Sequence, residues 1–436
     1  MGFKTYGSIL LLTLGHGCAR VQLPEARIAP GSAQEDLTWP RAVDLALAQH
    51  PDLRQRRAAL DAQRHNRNQA LGAYLPTVDG SAARKRSRTT SSSTSDSLPF
   101  DVDVSQPIFE GFATTGAALQ AWRQWEAAQW QYRETSAQVR LDLREAYVEL
   151  LRLNKLLDVD QRIAARRQDN AELIRLRYEA GREHAGSSKR AQAIAEQAAF
   201  EVRQTQRRID SQSLVLGRQL GGFFAQPMPV AGDLEQMVPD EPTPPADYVA
   251  LAEATPPVQR LTRSTEALKA AILAEQSSLW PKVDGTFNYG YSGSEASKLK
   301  DDVTAAVTVS VPLFAGGQHV QGVLEANDNY RAAVEAARSE RDDRISTLSQ
   351  RWAAFRDAWE LVAVRRSFLE AARQRSEIVR AQYTTGLASF QDFDIAEQDL
   401  ADSERAYVQS LADVQAQQAQ WIQAQGGTLE EARNGK

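Results

Sequence analysis

The chain has 436 residues, with 51 basic and 56 acidic side chains for a net charge of −5, and 42% of it is hydrophobic. That length allows one large domain or two to three ordinary ones, and the acidic balance argues against a nucleic-acid binder, which would carry a basic face. One cysteine, and five histidines that never fall at ligand spacing, exclude a disulfide framework and leave no Cys/His metal centre; no run of about twenty apolar residues offers a spanning helix.

Residues 1–17 have the layout of an export signal: Lys4, a short apolar run from Ile9 to Leu14, then Gly15-His16-Gly17-Cys18. A basic start, a brief apolar centre and small residues near a cut are what secretion signals show. The single cysteine stands at the cleavage point, so Cys18 is expected to become the acylated first residue of a lipoprotein. Gly15 replaces the apolar residue usual three places before it. Residues 18–39 then read as an extended N-terminal segment.

Five landmarks recur at a constant offset of 205 positions. They are His50-Pro51 with Thr255-Pro256, Leu75-Pro76-Thr77-Val78-Asp79-Gly80 with Trp280-Pro281-Lys282-Val283-Asp284-Gly285, and Val104-Ser105-Gln106-Pro107-Ile108-Phe109 with Val309-Ser310-Val311-Pro312-Leu313-Phe314. The others are Tyr178-Glu179-Ala180-Gly181 with Tyr383-Thr384-Thr385-Gly386, and Gly221-Gly222 with Gly426-Gly427. A tandem duplication follows, 40–222 and 245–427. The Pro-rich stretch 223–244 reads as an extended linker, and 428–436 as a C-terminal tail.

Each half reads as helix, two strands, very long helix, return helix. Leu98, Phe100, Val102 and Val104 alternate with polar residues, as do Phe287, Tyr289 and Tyr291, and Val303 through Val311. Period-two runs of about ten residues suit a transmembrane barrel strand, and equally a half-buried soluble sheet. The first strand is the weak one. From Val78 it runs into Ala82, Ala83, Arg84, Lys85, Arg86 and Arg88, so its basic end belongs at headgroup level or in a lumen. Thr89–Ser97 and Ser292–Glu295 read as exposed loops. Four strands cannot close a barrel, and open edges are not tolerated in lipid; spanning strands require an oligomer, and three copies give twelve strands.

Between Ala117 and Ala180, and between Val323 and Thr385, there is neither Gly nor Pro. Each stretch can make a helix of about 95 Å, far longer than ordinary globular helices. Leu348, Trp352, Phe355, Trp359 and Val362 step by four and three, and their counterparts Leu143, Tyr147, Leu150, Asn154 and Leu157 keep the register. This is heptad-type packing. Elsewhere the helices are rich in Ala, Gln and Arg, suiting shallow side-by-side packing or a water-filled tube.

With the duplication, the Pro-x-Val-Asp-Gly lead into each strand pair, the Pro-Ile-Phe-Glu-Gly and Pro-Leu-Phe-Ala-Gly-Gly exits and the Tyr-x-x-Gly turns, the chain resembles the TolC-like outer membrane efflux proteins over its whole mature length. The resemblance implies a mainly α fold with a transmembrane β part: a homotrimer with a twelve-stranded β-barrel in outer-membrane lipid and a long α-helical coiled-coil barrel reaching into the periplasm. It implies a passive exit channel for efflux or type I secretion, partnered by a periplasmic adaptor and an inner-membrane pump, with no cofactor and no enzymatic step.

The resemblance also implies roles for residues. Tips of the form Tyr-x-x-Gly-x-x-Ser contact the adaptor in that family. The second repeat follows the pattern with Tyr383, Gly386 and Ser389; the first keeps Tyr178 and Gly181, but His184 replaces the serine. The same residues are helix stop and start signals, and both readings stand. Acids just past the second turn narrow the closed tunnel in the family. Asp392 falls on the first such position, while the second falls on Ile395, with Asp394 one residue earlier. The two aspartates lie about 200° apart around a helix, so one at most faces the lumen squarely; Asp392 is the expected one, and a helix-start acid is the plainer alternative. A periplasmic adaptor or coiled-coil scaffold is the competing reading, although one hairpin, not a 205-residue duplication, is the rule there.

Overall fold

The computed structural model describes residues 36–88, 94–222, 229–292 and 300–434. The expected signal, Cys18 and most of the two strand-joining loops lie outside them. The helices are α1 (Trp39–Gln49), α2 (Pro51–Gly72), α3 (Ala113–Glu179), α4 (Ala185–Gln219), α5 (Tyr248–Ala254), α6 (Pro256–Gln276), α7 (Gln318–Thr385), α8 (Phe390–Ala424) and α9 (Leu429–Arg433). The strands are β1 (Thr77–Ala82), β2 (Lys85–Arg88), β3 (Thr94–Ser97), β4 (Phe100–Phe109), β5 (Lys282–Ser292) and β6 (Lys300–Ser310). The serine-rich stretch expected to be loop is in part strand, since Thr94–Ser97 pairs with β2.

The sheet runs β1-β4-β5-β6, antiparallel throughout. Its register puts Val78, Val104, Phe287 and Ala305 abreast, and Val102, Tyr289 and Val303 in the next row. Side chains alternate across a strand, so one face is apolar. The other carries Asp79, Asp103, Asn288 and Thr304 abreast, with Asn288 Nδ2 donating to Asp103 Oδ1 at 2.7 Å. Two-faced strands of this kind line barrels that hold water inside and lipid outside.

The helices form a curtain hung from the sheet. Next to it the order is α2, α3, α6, α7; at the far end it is α4, α3, α8, α7. The two helices common to both levels, α3 and α7, are 67 and 68 residues long, about 100 Å each. The heptad seam lies in the core: Leu143, Tyr147, Leu150, Leu348, Phe355 and Val362 are buried, and Trp352 and Trp359 pack against them.

A belt crosses the middle of the curtain. Leu37 bridges Val230 in parallel, and Tyr147 Oη donates to the Leu37 and Ala231 carbonyls at 2.9 and 2.5 Å. Trp359 Nε1 donates to Pro239 O at 3.0 Å, so the described part of the Pro-rich stretch is pinned to both long helices. The segment expected to be a tail is α9, started by a Thr428–Glu431 capping box and anchored by buried Leu429. Gly221 and Gly426 close the return helices at φ +90° and +87°. A Cβ on Gly426 would stand 2.2 Å from Pro256 Cδ, and one on Gly221 2.5 Å from the Gln49 carbonyl carbon. The duplicated Gly-Gly thus packs each return helix onto the duplicated helix junction, Gly221 against the end of α1 just before Pro51 and Gly426 against Pro256 at the start of α6. Among the described residues no helix is long and apolar enough to cross a membrane.

Candidate functional site

The two hairpin tips, α3–α4 and α7–α8, lie side by side at the end of the curtain farthest from the sheet. Gly181 and Gly386 turn the chain there in the left-handed region, at φ +71° and +85°, with open space where a Cβ would stand. Backbone conformation alone demands glycine at both. After Gly386, Leu387 N donates to Gln382 O at 2.8 Å, closing the end of α7.

Ser389 then starts α8. Its Oγ accepts from Asp392 N at 3.1 Å, and Asp392 Oδ2 accepts from Ser389 N at 3.2 Å and from Ser389 Oγ at 2.6 Å. This reciprocal capping box holds the exposed Asp392 carboxyl below its ordinary 3.8, through the Ser389 hydroxyl first and its amide second. In the first repeat His184 takes the serine's place, its Nδ1 accepting from Ser187 N at 3.2 Å.

The two tip tyrosines occupy different environments. Tyr178 is exposed, whereas Tyr383 is buried, stacked on Phe393 with ring centroids 4.9 Å apart, and lies under the Arg177 guanidinium at 4.5 Å. Its hydroxyl donates to Glu183 Oε2 at 2.9 Å, and burial followed by that contact pushes its pKa up to about 12. Arg177 and Glu183 belong to the first repeat, so Tyr383 ties the two tips together.

Asp394 does the same one turn along. Its carboxylate meets Arg190 Nη2 at 2.9 Å from α4 and Arg167 Nη1 at 3.5 Å from α3. The Arg167 side chain is only 6% exposed and that of Asp394 12%, while that of Arg190 is 67% exposed. Deeper still, buried Glu397 accepts from Ser376 Oγ at 2.6 Å and Asn170 Nδ2 at 3.2 Å, and Arg166 makes a two-pronged pair with Glu404 at 2.7 and 3.1 Å. Arg405 joins Asp160 at 3.0 Å and also pairs with Glu201. A groove of about 750 Å³ remains between the tips, lined by Arg177, Glu183, His184, Tyr383, Ser389 and Asp394 among others.

The structure therefore brings Tyr383, Gly386, Ser389, Asp392 and Asp394 to one end of the molecule, beside Tyr178 and Gly181. Sequence reasoning missed Arg167, Arg177, Glu183 and Arg190. The duplication gave no signal for them: their counterparts are Ala372, Gln382, Ala388 and Ile395, which cannot make the same bonds. Among the described residues no group of three or more His, Cys, Asp or Glu could hold a metal ion.

A profile of the outer membrane efflux protein family matches residues 42–222 and 250–427. No individual curated protein matches the sequence. Among solved structures the fold is shared with CusC, at TM-score 0.83 and 14% identity over 91% of this chain and 96% of that one. The outer membrane protein VceC from Vibrio cholerae gives 0.78 and 20% over 89% and 96%. The open state of the MtrE outer membrane channel from Neisseria gonorrhoeae gives 0.82 and 17% over 90% and 89%. At these identities it is the fold that is shared.

Proposed function

Since the chain belongs to the outer membrane efflux protein family, we propose that three copies close into a passive exit duct whose substrate and energy come from an inner-membrane pump through a periplasmic adaptor. The observation that carries this reading is that sheet and curtain are open along the same two edges. One edge is β1 with α2 and α4; the other is β6 with α7. Unpaired strand edges are untenable in lipid, and joining one edge to the other of the next copy makes a head-to-tail interface that closes as a ring. Two copies would give eight strands, whose interior side chains fill; three give twelve around an open lumen.

The internal repeat indicates what the seam looks like. Helix α3 is flanked by α4 and α8, and its Leu156, Val159 and Ile163 are 9%, 3% and 3% exposed. Their counterparts on α7, Leu361, Val364 and Phe368, are 37%, 48% and 60% exposed, because no second return helix covers them. The next copy's α4 offers exposed Phe200 at the position of Arg405, the α8 residue that meets Asp160 on α3, and would cover them as α8 covers α3.

At the tips, Asp392 supplies an exposed carboxylate beside the mouth, and Asp394 with Arg167 and Arg190 holds the two hairpins together in the resting state. Tyr178, Gly181, Tyr383, Gly386 and Ser389 shape the surface offered to the adaptor. Cys18, acylated after signal cleavage, would anchor the mature chain to the membrane; the mass of its N-terminal peptide tests that step. The adaptor reading lacks support, because the family match covers both repeats and adaptors carry no such sheet.

The experiment is single-channel recording from the detergent-extracted protein after its mass is measured. A trimer giving small, cation-preferring steps that lose their preference in Asp392→Ala is the expected result. A soluble monomer without conductance would overturn the duct.

A further inference from the structure

The first strand pair extends beyond the barrel, and its register decides where its basic residues point. Ala82 stands opposite Phe100, and the pairing resumes without a slip at Lys85 opposite Ser97. Ala83 N donates to Pro99 O at 3.0 Å across the joint. Side chains alternate along a paired strand, and the register carries through the two-residue joint 83–84 between β1 and β2, so Arg84 and Arg86 continue the row of Val78, Gly80 and Ala82. Lys85 continues the row of Asp79 and Ser81. The arginines thus stand on the side of the apolar face, which the duct turns to lipid, with Asp96 in register opposite Arg86, and the lysine stands on the lumen side.

Their height is fixed by the aromatic residues. At the helix end of the sheet, Phe112 packs edge-on against Phe109 and Trp280 at 5.6 and 6.3 Å. At the other end Phe100 is exposed beside Tyr291, whose ring meets Tyr289 at 5.2 Å. Strand β4, from Phe100 to Phe109, joins these levels; ten residues tilted as in outer-membrane barrels rise about 25 Å. That is the height of an outer-membrane apolar band with its two aromatic girdles. Arg84 and Arg86 follow on the outward face about 5 and 10 Å past the distal girdle, at the depth of lipid headgroups.

We propose that Arg84 and Arg86 hold phosphate groups of the anionic glycolipid in the outer leaflet, so that the protruding ribbon is a lipid clamp on the outside of the barrel. The inference rests on the membrane-spanning reading above. Guanidinium groups match phosphate oxygens in a two-pronged geometry that a lysine ammonium does not offer. Each carries five donors, enough to serve a contact within the chain, which both arginines make, and a phosphate together. Three copies would set three such pairs around the rim.

The test uses the full-length trimer in neutral detergent and labelled lipopolysaccharide, with its dephosphorylated form for comparison. The wild type should bind the phosphorylated lipid, and Arg84→Gln/Arg86→Gln should bind it about 25-fold more weakly, at about fivefold per basic residue. Dephosphorylated lipid should bind weakly to both proteins, and Lys85→Gln should match the wild type. Equal affinity in wild type and double variant overturns the clamp, as does a loss caused by Lys85→Gln alone, which would put the basic face in the lumen. Displacement of the lipid by millimolar inorganic phosphate would mark a soluble-anion site instead. Trimer mass and conductance, measured first on the same samples, report on the duct separately: a conducting trimer that ignores lipid phosphate loses only the clamp.

Discussion

Asp392 and Asp394 are two residues apart and do different work. Asp392 is the third residue of α8 and closes its capping box, so the plain role of a helix-start acid is fulfilled whatever it does for ions. With its carboxyl held below 3.8 by Ser389, the cap is complete above that value and is lost as pH falls through the lowered one. Amides at the start of α8, measured against their intrinsic exchange rate at each pH, should then be less protected in acid than at neutral pH, and Ser389→Ala, at about 1 kcal/mol for a lost cap, should show the same low protection at neutral pH. Unchanged protection in either case would remove the cap from the account. Asp394 instead faces the buried Arg167 and the exposed Arg190, and only the buried pair is screened little enough to count. Asp394→Asn should loosen the hairpins, and a loss of about 1.4 kcal/mol would raise the open population tenfold, read as more frequent openings of the isolated channel. The Gly and Ser of the Tyr-x-x-Gly-x-x-Ser signature were legible because a helix stop and a cap act within a few residues; the Tyr383–Glu183 bond and the Asp394 pairs join positions 200, 204 and 227 apart, where no local pattern exists.

Elements were legible wherever a period or a stop signal is local. The strand alternation, the Gly-free helices and the two tip glycines all follow from chain stereochemistry. Strand β3 was not legible, although β2 stands out as the basic end of the first strand, because serine-rich stretches lack an apolar face and their pairing comes only from continuing the ladder of β1 and β4. The glycines allow a comparison at this scale. Gly386→Ala meets open space and suffers only the left-handed backbone, about 1–2 kcal/mol. Gly426→Ala has the same backbone cost and a Cβ 2.2 Å from the Pro256 ring, so the α8 end must part from α6. Thermal melting should show Gly426→Ala to be clearly the more destabilised of the two; equal melting would mean the belt yields without cost.

For the whole molecule, the duplication leaves a ledger of faces that do not cancel within one chain. The first long helix has neighbours on both sides, the second has one, and the apolar residues on the bare side of α7 sit at positions buried in α3. Sequence alone gave the repeat and the need for an oligomer, but not which faces meet, since Leu361, Val364 and Phe368 look like any sparse stripe until their counterparts are seen covered. Phe368, 60% exposed in one chain, would gain about 2–3 kcal/mol per seam on burial, and a carboxylate there would forfeit that gain and bring its own desolvation cost into the seam. Phe368→Glu should therefore convert the proposed trimer to monomers in detergent. Leu387→Asp, at a tip position that is 82% exposed and away from both edges, should leave the trimer intact. If Phe368→Glu trimers survive as well as those of Leu387→Asp, α7 does not meet α4 of the next copy, and the ring must close through other faces of the curtain.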